Sequence, residues 1–284
     1  MKLFKPCVLI VAALIASPAL AQEGTTEPTA KIASSTLRSY AVPEANQAVG
    51  VDDKFFYAVD NTTIAKYSKD TGERVAMFKG EKGGAFKHFD SAVVVDGKIY
   101  LAHSDYPEWP MTSSVEVFDA ANLQHVESHS LGIDRGSLTW LDRHDGVWYG
   151  VFANYNKVFD RSPVAYGNKY TTQLVRFNEG WQVAEAWILP DALLEKFEDM
   201  SNSGGSWGPD GKLWLSGHDP AELYQMEFPE GGSIMRWVAT APADIAGQGI
   251  AWDRSQPGVI YGIVRKDRRV TATKVEIPIN HAQN

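Results

Sequence analysis

The sequence predicts an all-β fold, a five-bladed β-propeller whose last blade is closed by an N-terminal strand. Three observations predict it. A signature of short apolar strand, Asp-containing tight turn and aromatic-rich strand recurs along the chain. Each copy is followed by a further alternating run that reads as a third strand. Successive copies mostly start roughly 44–46 residues apart, the length of one propeller blade.

The clearest copies are AVGVDDKFFYAVDN (48–61), AVVVDGKIYLAHSD (92–105) and GSWGPDGKLWLSGHD (205–219). SLTWLDRHDGVWYGVFANY (137–155) and GIAWDRSQPGVIYGIVRKD (249–267) are looser ones. Each predicts a hairpin, because a tight turn, D-G or D-K in the first four and D-R-S-Q-P-G in the last, joins two runs of strand-forming residues. The third strands are TTIAKYS, SSVEVFD, TTQLVRFN, AELYQME and RVTATKVE. ERVAMFKG, QHVESHSL, WQVAEAWIL and SIMRWVAT supply fourth strands to the first four sets. The fifth set lacks one, and LRSYAVP (37–43) is placed to fill the gap and join the chain ends.

A four-stranded blade is apolar on both faces, so it must stack on neighbours in a ring with no free edge. The interval between the third and fourth sets is long. Its excess lies in NKVFDRSPVAYGNKY (156–170) and a helix-like DALLEKFEDM (191–200). One decorated blade explains it, and a sixth blade is the second choice. A β-sandwich leaves the recurring four-strand order unexplained.

The domain plan is a signal peptide over 1–21, a flexible segment over 22–36 and one propeller domain over 37–280. Lys2 and Lys5 precede an apolar run from Cys7 to Ala16, and Ala19-Leu20-Ala21 forms a small-x-small cleavage site. The run is too short to span a bilayer, so a periplasmic or secreted protein without a membrane span is expected. Cys7 is the single cysteine and leaves with the signal. The expected mature chain therefore has no disulfide, thiolate metal site or cysteine nucleophile. A formal net charge of −8 disfavours nucleic acid as a partner. A monomer binding a small molecule or oligosaccharide is expected.

In a propeller, the approach to each innermost strand and the loop leaving each second strand share one face, at the mouth of the central channel. The approaches read Asn46-Gln47, His88-Phe89-Asp90-Ser91, Arg135-Gly136-Ser137, Asn202-Ser203-Gly204 and Gln248-Gly249. The exits read Asp60-Asn61, His103-Ser104-Asp105-Tyr106, Asn154-Tyr155, His218-Asp219 and Arg265-Lys266. Three of seven histidines, His88, His103 and His218, fall here and are the candidate catalytic residues. Imidazole serves as acid or base near neutral pH, and Asp90, Asp105 or Asp219 is placed to orient a ring. Arg265 or Arg135 suits a substrate carboxylate, which guanidinium grips bidentately. Asn154, Tyr155, Asn202 and Gln248 complete the expected substrate contacts. Trp109, on the loop AHSDYPEWPMTSSVE, offers a ring for a sugar to stack on.

No dedicated cofactor is expected. A divalent metal on the three histidines is the open alternative, although they lie in separate sets with no compact ligand spacing. His125, His129 and His144 read as structural or solvated, and His281 lies in the C-terminal tail. HExxH, dinucleotide and calcium-loop motifs are missing from the sequence, and no nucleophile elbow is expected in an all-β chain, since the elbow needs a strand-to-helix turn. The turn residues Asp52, Asp53, Asp96 and Asp210 read as structural on the opposite face.

The segments AVGVDDKFFYAVDNTTIAKY, VVVDGKIYLAHSDYP, PMTSSVEVFD, SNSGGSWGPDGKLW and GQGIAWDRSQPGVIYGI together resemble a group of bacterial and fungal propeller proteins labelled cycloisomerase-like or lactonase-like. The resemblance spans most of the mature chain and implies a propeller without implying particular catalytic residues. The expectation is an exported enzyme acting on a carbohydrate, uronate or lactone by His-mediated acid/base chemistry, as a lyase, isomerase or hydrolase. The alternative is a non-catalytic sugar- or protein-binding propeller of the cell envelope. The rim differs from set to set, which favours one asymmetric site over five equivalent ones.

Overall fold

The computed structural model describes residues 26–158, 167–218, 220–246 and 248–277. Asp219, His281 and the signal segment lie outside the described residues.

The described strands form five four-stranded antiparallel sheets. Blade one is β2 (Ala48–Val51), β3 (Phe55–Asp60), β4 (Thr63–Ser68) and β5 (Arg74–Lys79). Blade two is β6 (His88–Val95), β7 (Lys98–Ser104), β8 (Ser113–Asp119) and β9 (His125–Gly132). β10 (Ser137–His144) to β13 (Val183–Ile188) make blade three, and β14 (Gly204–Trp207) to β17 (Arg236–Pro242) make blade four. In blade five, β18 (Ala251–Trp252), β19 (Val259–Val264) and β20 (Arg269–Val275) are completed by β1 (Ser34–Ala41). β1 runs antiparallel to β20, from Ser34 opposite Val275 to Ala41 opposite Arg269. The first and last described strands thus close the ring. β1 starts three residues ahead of the expected Leu37, and just before it the Ile32 N–H donates to the Thr240 carbonyl of blade four.

Each blade-to-blade seam is an apolar core of its own. Phe56, Val49, Tyr261 and Ile263 fill the seam between blades five and one, and Tyr57, Ile64, Phe89 and Leu101 the next. Val115, Val117, Phe152 and Phe177 join blades two and three. Trp140, Val151, Tyr224 and Trp237 join three and four, and Trp214, Leu223, Trp252 and Ile260 join four and five. Five seams for five blades leave no place for a sixth. Among the described residues the long interval contributes a 3-10 turn (Lys169–Thr171) and the short helix α1 (Asp191–Lys196), whose Leu193 and Leu194 thicken the seam between blades three and four.

Near the axis the inner strands approach closely, which demands small residues. A Cβ on Gly205 would lie 2.3 Å from the Trp140 ring, and one on Gly249 2.5 Å from the Ala48 Cβ. No helix among the described residues is long and apolar enough to cross a membrane.

Candidate functional site

The upper mouth is built from the N-terminal ends of the inner strands and the loops leaving the second strands. A run of hydrogen bonds crosses it. The Arg265 Nε donates to Asn46 Oδ1 at 3.0 Å, and Asn46 Nδ2 donates to Asp60 Oδ1 at 2.6 Å. Next to Asp60, Asn61 Oδ1 accepts from Gln47 Nε2 at 2.7 Å and lies 2.7 Å from His88 Nδ1. The other ring nitrogen, His88 Nε2, is 3.2 Å from Asp90 Oδ1. Ser137 of blade three donates toward Asp90 Oδ2 at 3.4 Å and sits 2.9 Å from Ser104 Oγ. Residues of blades five, one, two and three are thus tied into one polar arc.

His88 is the histidine at the heart of this arc. Its ring is buried, held between the Asn61 carbonyl and the Asp90 carboxylate, and lies 4.9 Å from the Tyr106 ring. Tyr106 packs in turn edge-on against the buried Tyr155.

His103 is aimed elsewhere. His88 pairs with Ser104 and Phe89 with His103 across β6 and β7, so alternation puts the His103 ring on the Phe89 side. It lies among Phe86 and Phe89, facing the seam with blade one. Its Nε2 accepts the Lys87 backbone N–H at 3.0 Å, which forces that nitrogen to be unprotonated. The proton therefore sits on Nδ1, 2.8 Å from Ser114 Oγ. The Ser114 hydroxyl donates on to Glu116 Oε1 at 2.6 Å, and the buried Glu116 also meets His125 Nε2 at 2.8 Å. Burial pushes the His103 pKa below its ordinary value, opposed by the nearby Glu116 carboxylate. His103 is a neutral ring fixed at both nitrogens, behind His88 rather than beside it in the mouth. His218, half-buried, stands in the connection between β15 (Leu213–Ser216) and β16 (Glu222–Glu227), across the ring on blade four.

The other sequence-derived candidates divide in two. Arg265 faces the arc. Its Nε is bonded to Asn46, and no carboxylate of a described residue pairs with it, so its two terminal nitrogens are open to a ligand. Gln248 is buried with its backbone in the left-handed region at φ 91°, where its N–H reaches the Gly217 carbonyl. A non-glycine residue held there stores strain, which tends to gather at functional sites. Asn202, by contrast, is spent on the scaffold: its Oδ1 accepts from the Trp140 indole and its Nδ2 donates to the Gly204 and Ser216 carbonyls. Asn154 bonds the Arg135 and Thr171 carbonyls, and Arg135 reaches Gln173. Asp105 accepts the Thr112 N–H at 2.7 Å and so closes the loop that carries Trp109, which is 50% exposed.

Asn46, Gln47, Asp60 and Asn61 were visible in the sequence as rim residues but carried no assigned role; the arc gives them one. The Ser114–Glu116 relay escaped sequence reasoning. Its only signal is a lone Glu between Val115 and Val117 in a strand that is otherwise apolar at its centre. Among the described residues, no group of three or more His, Cys, Asp or Glu side chains is arranged to hold a metal ion.

Comparison of the sequence finds no matching family model and no matching curated protein. Solved structures do match. Glutaminyl cyclase from Myxococcus xanthus aligns with a TM-score of 0.58 at 11% identity, covering 89% of this chain and all of that one. The PQQ-bound aldose sugar dehydrogenase from Streptomyces coelicolor gives 0.52 at 12% identity, covering 88% and 100%. At such identities the likeness is one of fold, and it places the chain among the β-propellers.

Proposed function

We propose that the protein is an exported enzyme that performs acid/base chemistry on a small carboxylate-bearing carbohydrate, uronate or lactone at the upper mouth. The observation that carries this reading is His88, buried between Asn61 Oδ1 and Asp90 Oδ1 at the centre of the polar arc. With Nδ1–H held by Asn61 Oδ1, the proton moves at Nε2, which exchanges it with the Asp90 carboxylate 3.2 Å away or with a substrate group that takes the place of that carboxylate oxygen, a contribution worth about 10²–10⁴ in rate. Asp90 orients the ring and compensates its charge when it holds a second proton. The open terminal nitrogens of Arg265, one asparagine away, supply a fork for the substrate carboxylate. Tyr106, whose ring centre lies 4.9 Å from that of His88, borders the same space. His103 acts through the chain, by fixing Lys87 and hence the start of β6. Glutaminyl cyclase and the aldose sugar dehydrogenase, two of the solved structures that share the fold, are named as enzymes, so the fold is compatible with this reading. The label cycloisomerase-like or lactonase-like is a finer form of the same proposal.

The test is turnover by the mature protein on uronates, aldonolactones and oligouronides. His88→Gln lowers kcat by about 100-fold or more. Arg265→Gln raises KM for carboxylate substrates by about ten-fold or more, and not for neutral ones. Saturable binding without turnover would instead make this a sugar-binding propeller. N-terminal sequencing of the exported protein is expected to begin at Gln22.

A further inference from the structure

His103 ties an exposed segment to the body of the propeller. Residues 80–87 cross the upper face from the end of β5 to the start of β6. Two N–H groups tether the segment from outside: Gly80 donates to the Thr62 carbonyl at 2.8 Å, and Lys87 donates to His103 Nε2 at 3.0 Å. Phe86 turns inward, against the rings of Phe78, Phe89 and Phe118 and against both His103 and His125.

The tether at Lys87 depends on a protonation state. A backbone N–H donates under all conditions, so this bond exists only while His103 Nε2 is a bare acceptor. The side chains behind the ring enforce that tautomer. The Ser114 hydroxyl gives its single proton to Glu116 Oε1 at 2.6 Å, so toward His103 Nδ1, 2.8 Å away, it can only accept. The ring proton is thereby held on Nδ1, and the lone pair of Nε2 faces Lys87. A second proton, on Nε2, would set donor against donor.

From this geometry we infer that His103 is an acid-operated latch on residues 80–87, closed while its Nε2 is bare and opened when that nitrogen takes a proton. Opening frees Lys87, the residue before His88, and so loosens the entry to β6 beside the polar arc. The latch rests on the proposed role of His88 only for its effect on turnover; release of Lys87 is a property of the chain with or without that role. Burial is the strongest influence on the ring and favours its neutral form, and the nearby His88 acts the same way. Glu116 of β8, 4.0 Å from Nδ1, Asp90 of β6 and Asp105 just beyond β7 oppose it. His125 of β9 meets the ring only through Glu116 and Phe86. The neutral form is the net winner, so the latch is closed near neutrality and opens as pH falls below the ordinary histidine range.

Amide hydrogen exchange of the full mature protein, read residue by residue in ¹H–¹⁵N spectra without substrate, tests the latch. His103 itself is titrated through its ring nitrogens. Over that titration the Lys87 amide, corrected for the intrinsic effect of pH, is expected to lose about ten-fold or more of its protection. The Gly80 amide, bonded to a carbonyl, keeps its own. His103→Gln supplies a side-chain carbonyl that accepts at every pH, so protection at Lys87 is then expected to stay level. Glu116→Gln removes a carboxylate that favours the charged ring and moves the release to lower pH. Lys87 protection that holds steady while His103 titrates overturns the inference, as does an equal loss in His103→Gln. Circular dichroism of each variant shows whether the fold persists. Should His103→Gln unfold the protein, Glu116→Gln decides, and release at an unchanged pH then overturns the inference.

Discussion

At the upper ends of the inner strands the charged groups Arg265, Asp60 and Asp90 are spaced by amides, hydroxyls and one imidazole, bonded side by side from Arg265 to Ser137. At the lower ends opposite charges are clamped directly to each other across blades. Lys69 of blade one is buried against Asp253 of blade five, and Arg254 reaches Asp142, which also accepts from Ser206 Oγ and the Trp207 N–H. The same strands thus end in two kinds of chemistry. The lower turns are short and locked by their own aspartates, as where Asp52 accepts the Lys54 and Phe55 N–H groups. They bind the ring together. The upper loops vary in length, and their side chains are held by hydrogen bonds that a ligand can exchange. The comparison teaches that the lower clamps serve stability and the upper arc serves function, and it can be broken.

Its sharpest test is Lys69→Met. Losing one partner strands Asp253 as a buried, uncompensated charge, a defect that costs about 3–5 kcal/mol. Urea unfolding is expected to show this, with kcat unchanged in whatever remains folded. A stable Lys69→Met protein would remove the lower clamp from the comparison. Asp142→Asn is expected to cost about 2 kcal/mol, because an amide serves the Trp207 N–H, Ser206 and Arg254 less well than a carboxylate. The same unfolding curves measure it.

On the upper side the sign reverses. Gln248→Gly relieves the left-handed backbone, and thermal unfolding is expected to show a gain of about 1 kcal/mol or less, offset in part by glycine's entropy. Activity falls if Gln248 contacts substrate. A variant both more stable and fully active would show the strain to be idle. The smallest effect belongs to His103. Its folded pKa is below the ordinary value of 6.5, so the unfolded chain binds the proton more readily and stability drops as pH falls. The loss begins as pH falls through the ordinary histidine range and is complete below the folded value. His103→Gln is expected to flatten the dependence of unfolding free energy on pH in that window.

Much of the fold was legible in the sequence because it rests on local signals. Alternation in SSVEVFD and the Asp turn of VVVDGKIY specify strands and hairpins wherever they occur, and the missing fourth strand of the last set pointed to LRSYAVP. The rim was legible for the same reason: strand ends fall where alternation stops. What could not be read is which rim side chains meet. His88 and His103 sit in neighbouring strands at one rim, yet their rings part because His88 pairs with Ser104 and Phe89 with His103, consecutive pairs that face opposite sides of the sheet. Asn202 and Asn154 look like ligand contacts in sequence and prove to be spent on carbonyls. Their carbonyl partners carry no sequence signature, since every residue has one.

The sequence alone determined the number of blades, the strand that closes the ring and the face on which the polar loops gather, because a period-two pattern and a turn residue act over a few positions. Only the tertiary structure decided that His88 lies in the arc while His103 lies behind it, that Arg254 spans from blade five to blade three, and that the Lys87 N–H ends on the His103 ring. Those outcomes depend on the register between strands and the stacking of one blade on another, distances that no local pattern encodes.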